Sequence, residues 1–380
     1  VQEVVGRSFE EHTSRNPGAL EEYPNEPWYD PEHLLVAEVD GQLVSQMGVR
    51  DGSLWIDGRP FPAGLLGTVC TIPEYRGRGI GAKLVRASFE WMERRGIALS
   101  YLHTSEARYA FYGREGYRLS PYHQSKAVLR TEHIPGGVKT TDRIRIRRAG
   151  PEDAAACNTL YELYYGRLSG AWSRTEAFWV RRLEGKPKLW FAGCAEFWIA
   201  EAEALLAYLA VVRDETPRIV ELAALSGEEG ALRGLLGHMM REMNAPEVEV
   251  SLGSRDPLWA DLRDFLPEEH TGHGCVMVRA QDRAAFLQQV EALVGSRANA
   301  ANLSCEADFG EGEPPVRLGE GSRSVKIGVS LHDLCALVYN GEHLDALIEE
   351  GAVEIREGTE ADLRVLFLET FPARCLLDGY

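Results

Sequence analysis

Between Thr68 and Ala82 the chain reads TVCTIPEYRGRGIGA, with Arg76, Gly77, Arg78, Gly79, Ile80 and Gly81 in succession. Glycine lets backbone N–H groups come close to a ligand. A helix beginning just beyond offers unpaired N–H groups and the positive end of its dipole. Together they make an anion site that suits a diphosphate, and Arg76 and Arg78 add charge. A purely structural helix entry is the alternative. Glycine costs about 1 kcal/mol in a helix, however, and the sequence shows no packing reason for Gly79 and Gly81. A dinucleotide loop of the G-x-G-x-x-G type does not fit, because the spacing differs and Pro73 to Arg76 separate strand from glycines.

Two further groups carry chemistry-bearing side chains. Trp28 and Tyr29, beside Glu26 and Asp30, combine aromatic faces with carboxylates and suit a cation; a surface turn among Pro24, Pro27 and Pro31 is an equally good reading. His270-x-x-His273-x-Cys275 has metal-like side chains but no accompanying ligand pair, so it reads as a loop before a strand at 276–278, and no metal is expected.

The elements that must position the glycine loop are legible around it. Residues 34–39 and 43–49 read as strands joined by Asp40-Gly41, a strong hairpin signal. Leu54, Ile56 and Phe61 bracket a second turn at Asp57-Gly58-Arg59-Pro60, and 64–72 is an apolar strand leading into the loop. Beyond it, Ile80, Leu84, Val85, Ser88, Phe89 and Met92 share one helical face, Lys83, Arg86, Glu90, Glu93 and Arg94 lie elsewhere, and Gly96 is a C-terminal stop. A strand at 98–103, a short helix at 108–114 and an extended stretch at 117–129 follow. The Pro-Gly-Gly-containing segment 131–142 reads as a boundary.

The middle third repeats this order weakly: an apolar pair of strands within 197–212, a strand at 219–225 and a helix at 230–243. Ser226-Gly227-Glu228-Glu229 stands where the arginine-glycine loop would be, and acidic residues repel a diphosphate, so this module reads as structural. In the last third, 295–321 reads as loop-rich, 324–329 as a strand, and 331–339, 344–350 and 360–368 as helices. At ~100–200 residues per domain the chain of 380 residues suits two or three domains. The net charge of -17 disfavours nucleic acid and anionic membranes and attracts cations; it either serves only to keep the protein soluble or points to a small cationic amine as partner. No apolar run reaches the ~20 residues that span a bilayer. The first residues lack both a signal-peptide layout and an initiator Met, which suggests a few residues upstream. Seven scattered cysteines with no C-x-x-C pair fit reduced thiols in a cytoplasm.

The strand, glycine loop and helix resemble the acyl-CoA diphosphate loop of the GNAT (GCN5-related N-acetyltransferase) superfamily, with its Arg/Gln-x-x-Gly-x-Gly/Ala pattern. The resemblance implies acetyl-CoA as co-substrate, with pantetheine contacts from Val69, Cys70 and Thr71 and diphosphate contacts along Arg76, Gly77, Arg78, Gly79, Ile80, Gly81 and Ala82. The run TSEARYAFYGREGY, 104–117, is similar to the Eis-like (enhanced intracellular survival) acetyltransferases, as is the layout of the whole chain. That implies an α/β fold with mixed sheets: a catalytic GNAT module (1–140), a degenerate one (141–279) and a sterol-carrier-protein-like α+β domain (280–380). It also places Ser105 and Glu106 near the cofactor, and implies a homo-oligomer, with a hexamer as the candidate assembly.

The same resemblance implies the chemistry. Acetyl transfer needs a neutral amine, yet an alkyl ammonium of pKa ~10.4 is protonated at neutral pH, so a base must take its proton and an acid must supply one to the leaving thiolate. Tyr112 stands where the family carries its acid; Tyr109 or Tyr117 is the alternative. The base implied is the C-terminal carboxylate, here of Tyr380, although sequence alone would let the tail fray. Primary amines, with aminoglycosides first and lysine side chains or polyamines as runners-up, are the implied acceptors. The alternative from another class is a non-catalytic acyl-CoA- or lipid-binding protein.

Overall fold

The structure, a computed structural model, describes residues 1–15, 17–27, 29–134, 143–186, 195–213, 215–253, 256–262, 269–310 and 312–369. Trp28 and Tyr380 lie outside them. Three short helices open the chain: α1 (Gln2–Ser8), α2 (Glu10–Arg15) and α3 (Pro17–Glu22). A meander follows, β1 (Leu34–Val39), β2 (Gln42–Ile56) and β3 (Arg59–Thr71), turned at Asp40-Gly41 and Asp57-Gly58, all four residues at positive φ as tight hairpin turns require. Strands β2 and β3 are longer than their apolar runs predict. Arg50-Asp51-Gly52 interrupts the pattern but stays in the ladder, because Arg50 is buried against Trp172 and Phe178.

Next come α4 (Ile80–Glu93), β4 (Leu99–His103), α5 (Tyr109–Gly113) and β5 (Arg118–Arg130). Helix α4 buries Leu84, Val85, Ser88, Trp91 and Met92 on one face and ends at Glu93, and the turn that follows it closes at Gly96, φ 63°. It sits so close to β3 that a Cβ on Gly64 would lie 2.4 Å from the Met92 sulfur. The same order, meander then helix then strand, recurs as β6 (Arg145–Arg148), α6 (Ala154–Tyr165), α7 (Glu176–Leu183), β7 (Ala195–Glu201), β8 (Leu205–Val212), β9 (Arg218–Ala224), α8 (Glu229–Glu242) and β10 (Glu247–Gly253).

All these strands, with β11 (Glu269–Ala280), form one eleven-stranded sheet in the order β1-β2-β3-β4-β11-β5-β10-β9-β8-β7-β6. β3 runs parallel to β4, and β9 parallel to β10. Taking the elements through β5 as a first unit and those from β6 through β11 as a second, the centre is an exchange: β11, from the second unit, lies antiparallel to β4 of the first, while β5, from the first, lies antiparallel to β10 of the second. β5 and β11 pair with each other about a register centre that sets His123 opposite His273. His270, His273 and Cys275 therefore belong to a strand, not to the expected loop; ladder hydrogen bonds to β5 hold it extended where local composition does not.

The last third forms a second sheet, β13-β12-β14-β15, from β12 (Leu303–Asp308), β13 (Val316–Leu318), β14 (Arg323–Val329) and β15 (Val353–Glu357). The expected loop-rich stretch 295–321 thus holds two strands. Leu303, Ser304, Cys305 and Ala307 are buried while Glu306 and Asp308 are half-buried, and apolar residues alternate with polar ones as in a strand, inside a glycine-rich segment. The helices Arg283–Val290, Leu331–Tyr339, Leu344–Glu349 and Glu360–Leu366 pack with this sheet against one face of β2, β3, β4 and β11 in a single core. The opposite face of the first unit is covered by α4 and α5, and by the N-terminal helices. No described helix is long and apolar enough to cross a membrane.

Candidate active site

The site begins where two parallel strands part. β3 pairs with β4 only from Ala63 to Leu66. At Thr68 the backbone turns to φ 50° and the β2–β3 register slips. On the β2 side the strand stays anchored by side chains: Gln46 Nε2 donates to the Thr68 carbonyl at 2.7 Å and Ser45 Oγ to the Cys70 carbonyl at 2.7 Å. On the other side Val69 to Thr71 have no partner strand among the described residues, so a row of backbone groups faces a gap.

The glycine loop closes one end of that gap. Gly77 and Gly79 both have φ 75°, the left-handed region that favours glycine, and a Cβ on either would meet nothing within 4 Å. A Cβ on Gly81 would meet only ordinary contacts, Phe111 at 3.7 Å and Thr71 at 3.8 Å. Packing does not require glycine at 81; its missing side chain keeps the space before the helix open. The N-terminus of α4 has no side-chain cap and no acidic residue in its first turn, so its orphan N–H groups and dipole face this space. Arg76 reaches across, its Nε donating to the Thr71 carbonyl at 2.9 Å and its Nη2 to the Ser8 carbonyl at 3.2 Å. Arg78 turns away: Nη2 donates to the Glu74 carbonyl at 3.0 Å and the guanidinium stacks 4.8 Å from the Tyr75 ring centre.

Splay, loop and helix enclose a cleft of about 700 Å³. Its lining brings together Val69, Cys70, Thr71, Arg76, Gly77, Gly79, Ile80, Gly81, Ala82 and Tyr112. Arg78, Ser105, Glu106 and Tyr29 do not line it. Ser105 and Glu106 are exposed at the turn after β4, where Ser105 Oγ accepts from Arg108 Nη1 at 3.4 Å. The Tyr29 ring meets Tyr23 edge-on at 5.4 Å, and the Tyr23 hydroxyl shares a 2.8 Å hydrogen bond with Thr68 Oγ1.

The cleft also contains residues that sequence reasoning passed over, among them Ser8, Phe9, Arg86, Arg108 and Arg114. Arg86 falls on the polar face of α4, where a solvated role is the default. It forms a two-pronged pair with Glu115 at 2.8 and 2.9 Å. Arg108 and Arg114 flank Tyr112, and a cluster of basic residues around an aromatic is the signal that could have found them. Ser8 and Phe9 arrive from the chain's start and carry no local mark.

Tyr112 is 6% exposed, held edge-on by Phe111 at 4.8 Å and Tyr117 at 5.8 Å. Its hydroxyl has no hydrogen-bond partner among the described residues, and burial pushes its pKa up to about 12. Tyr117 is buried with its hydroxyl committed to Ser100 Oγ at 2.6 Å, and neither it nor Tyr109 lines the cleft. The Cys70 thiol is also pushed up by burial, which disfavours a thiolate. Among the described residues no group of three or more His, Cys, Asp or Glu side chains could hold a metal ion.

A family model described as an acetyltransferase (GNAT) domain matches residues 1–120, the part that builds the cleft. Curated relatives named mycothiol acetyltransferase match the same scale of segment: that of Thermomonospora curvata is 31% identical over 107 residues, 27% of this chain and 34% of its own length. That of Cellulomonas flavigena is 32% identical over 107 residues, 27% of this chain and 31% of its own. The chain thus spans about a third of the length of these relatives. Solved structures extend over the whole chain. A GCN5-related N-acetyltransferase from Kribbella flavida superposes with a TM-score of 0.68 at 21% identity, covering 100% of this chain and 95% of that one. Another from Anabaena variabilis gives 0.70 at 14%, covering 97% and 93%. Eis1 from Mycobacterium abscessus gives 0.66 at 18%, covering 100% and 96%. At these identities the likeness establishes the fold: a multi-domain arrangement of mixed α/β sheets of the GNAT type.

Proposed function

We propose that this protein transfers an acetyl group from acetyl-CoA to a primary amine, using the cleft between β3, α4 and α5. The observation that carries the reading is the meeting, in one cleft, of an uncapped helix N-terminus behind left-handed glycines, a strand edge without a partner, and a buried tyrosine with an uncommitted hydroxyl. The bound thioester supplies an activated acetyl group. The N–H groups of Gly79 to Ala82 suit its diphosphate, and Arg76 adds charge once it releases the Thr71 and Ser8 carbonyls. The free edge of Val69 to Thr71 suits the amide-bearing pantetheine arm. Tyr112 holds its proton at neutral pH and donates it to the departing thiolate. Arg78, Ser105 and Glu106 remain cofactor-site candidates from resemblance, Trp28 and Tyr29 amine-site candidates, and the Tyr380 carboxylate the candidate base.

Within this reading 1–140 is the catalytic module, 141–279 a degenerate one and 280–380 a sterol-carrier-protein-like domain. The acidic Ser226-Gly227-Glu228-Glu229 turn before α8 supports the second assignment. The acceptor is a small cationic amine, with aminoglycosides ahead of polyamines and lysine side chains, and the relatives' name adds mycothiol-type amines. The chain acts in the cytoplasm as a homo-oligomer, with a hexamer as the candidate assembly.

The experiment is acetyl-CoA-dependent thiol release across a panel of these amines, with the full chain beside a version lacking Tyr380. Amine-dependent release lost on truncation supports both the reaction and the carboxylate base. Release unaffected by truncation keeps the reaction and discards Tyr380 as base. CoA binding without release from any amine favours the second reading, a non-catalytic acyl-CoA-binding protein, which the intact cofactor loop alone would also support.

A further inference from the structure

The strand parting at Thr68 is held from an unexpected direction. Tyr23, 2% exposed, shares a hydrogen bond with Thr68 Oγ1, the side chain of the residue at φ 50° where β3 leaves β4. Three residues on, Glu26 is buried in an ion pair with Arg182: Nη1 donates to Oε1 at 3.0 Å, and the two side chains are 4% and 3% exposed. Next to it Arg181 pairs with Glu22. Both arginines belong to α7, in the second unit, whose neighbours Phe178, Trp179 and Leu183 are fixed in that unit's core. The Arg182 guanidinium also stacks 4.9 Å from the Phe178 ring centre.

A buried ion pair is a poor source of stability, because desolvation offsets its attraction, but it fixes geometry sharply. Here two adjacent arginines grip both ends of the short segment that carries Tyr23. We propose that the second unit, which carries an acidic turn in place of a cofactor loop, acts as a clamp on the catalytic one. Arg182 and Glu26 are positioning residues that hold Tyr23 against Thr68 and so keep the β3 edge parted for the acyl arm of the thioester. The proposal rests on reading the cleft as an acetyl-CoA site.

The test combines kinetics with amide hydrogen exchange on peptides covering residues 66–72 of the full-length protein. The variants are Arg182→Met, Glu26→Gln and Tyr23→Phe, with Arg182→Lys as the conservative rescue and Cys157→Ala, in the second unit's core, as a destabilised control. Arg182→Met and Tyr23→Phe are expected to speed exchange across 68–71 at least tenfold and to lower kcat/KM for acetyl-CoA about tenfold, with the KM for the amine within about threefold; Arg182→Lys should recover most of both. Tyr23→Phe removes one hydroxyl and keeps the inference testable if Arg182→Met does not fold. Unchanged exchange at 68–71, or equal acceleration by Cys157→Ala, would overturn the clamp. If the wild type releases no thiol with any amine while the exchange pattern holds, the activity reading fails and the clamp stands.

Discussion

At the scale of single residues, two titrating groups make opposite demands. Tyr112 is neutral when protonated, and burial lifts its pKa to about 12, so it can donate throughout the neutral and mildly alkaline range. In kcat against pH from 7 to 10, the rising limb should come from amine deprotonation, with no descending limb; a fall with an apparent pKa near 9 would remove Tyr112 from the acid role. Tyr112→Phe should lower kcat by about 10²–10⁴-fold while CoA binding by calorimetry stays unchanged. Asp256 plays no part in the site. It is buried, accepts from the Tyr164 hydroxyl and from the Leu258 N–H at 3.0 Å, and burial raises its pKa from 3.8 to about 6. Its folded-state pKa lies above its unfolded value, so its stabilising contribution is complete below about pH 4 and lost as pH rises through 6. The stability of the wild type relative to Asp256→Asn should therefore decline between pH 4 and pH 7 in denaturant titrations. A constant difference across that range would contradict it.

At the scale of elements, the helix start and the parted strand flank one cleft. Helix α4 is long and well anchored by Leu84, Val85 and Met92, so its N-terminus is a rigid source of N–H groups, and the left-handed Gly79 turns the chain into it without a capping side chain. Gly81→Leu should leave thermal stability nearly unchanged, since the space before Gly81 is open, and weaken CoA binding at least tenfold, or ~1.4 kcal/mol, by filling the cleft. Calorimetry beside a melting curve checks it: unchanged affinity would mean the cofactor lies elsewhere, and a collapsed melting point would mean the glycine serves packing. Gly79 differs in kind, because its φ of 75° makes any side chain there strain the backbone by roughly 1–2 kcal/mol.

At the scale of the whole molecule, the exchange of β5 and β11 decides what can fold alone. β11 fills the place between β4 and β5, and β5 in turn completes the pairing of β10. A fragment of residues 1–134, which holds every described residue of the cleft, lacks β11; its β4 would present an unpaired edge, a template for aggregation. That fragment should be insoluble or lack a cooperative melt, whereas residues 1–282 should regain the strand and fold better. A soluble, cooperatively melting 1–134 would show that the exchange is dispensable. The net charge of -17 acts at the same scale: attraction of a polyamine should weaken as salt screens it over ~10 Å at 0.1 M, seen as a KM for the amine that rises with ionic strength while that for acetyl-CoA changes less.

What the chain's sequence determined by itself was whatever is local. Arg76 to Gly81 declares a glycine-lined helix entry because glycine conformation and helix start are set within a few residues. Helix α4 and the hairpin turns at Asp40-Gly41 and Asp57-Gly58 were legible for the same reason. Where partners are distant, local signals failed. Arg50 interrupts an apolar run yet lies buried beneath Trp172 and Phe178, so β2 and β3 read too short. β12 hid among glycines, and the first half of β11, before the strand expected at 276–278, read as a loop because β5, far away in sequence, supplies its hydrogen bonds. Only the tertiary structure brought Ser8, Arg108 and Arg114 to the cleft, placed Tyr112 in its lining while pairing the Tyr117 hydroxyl with Ser100, and set Arg182 against Glu26. The physical reason is common to all of these: burial, hydrogen-bond partners and ion pairing are properties of what surrounds a side chain, and those surroundings exist only once the long-range contacts form.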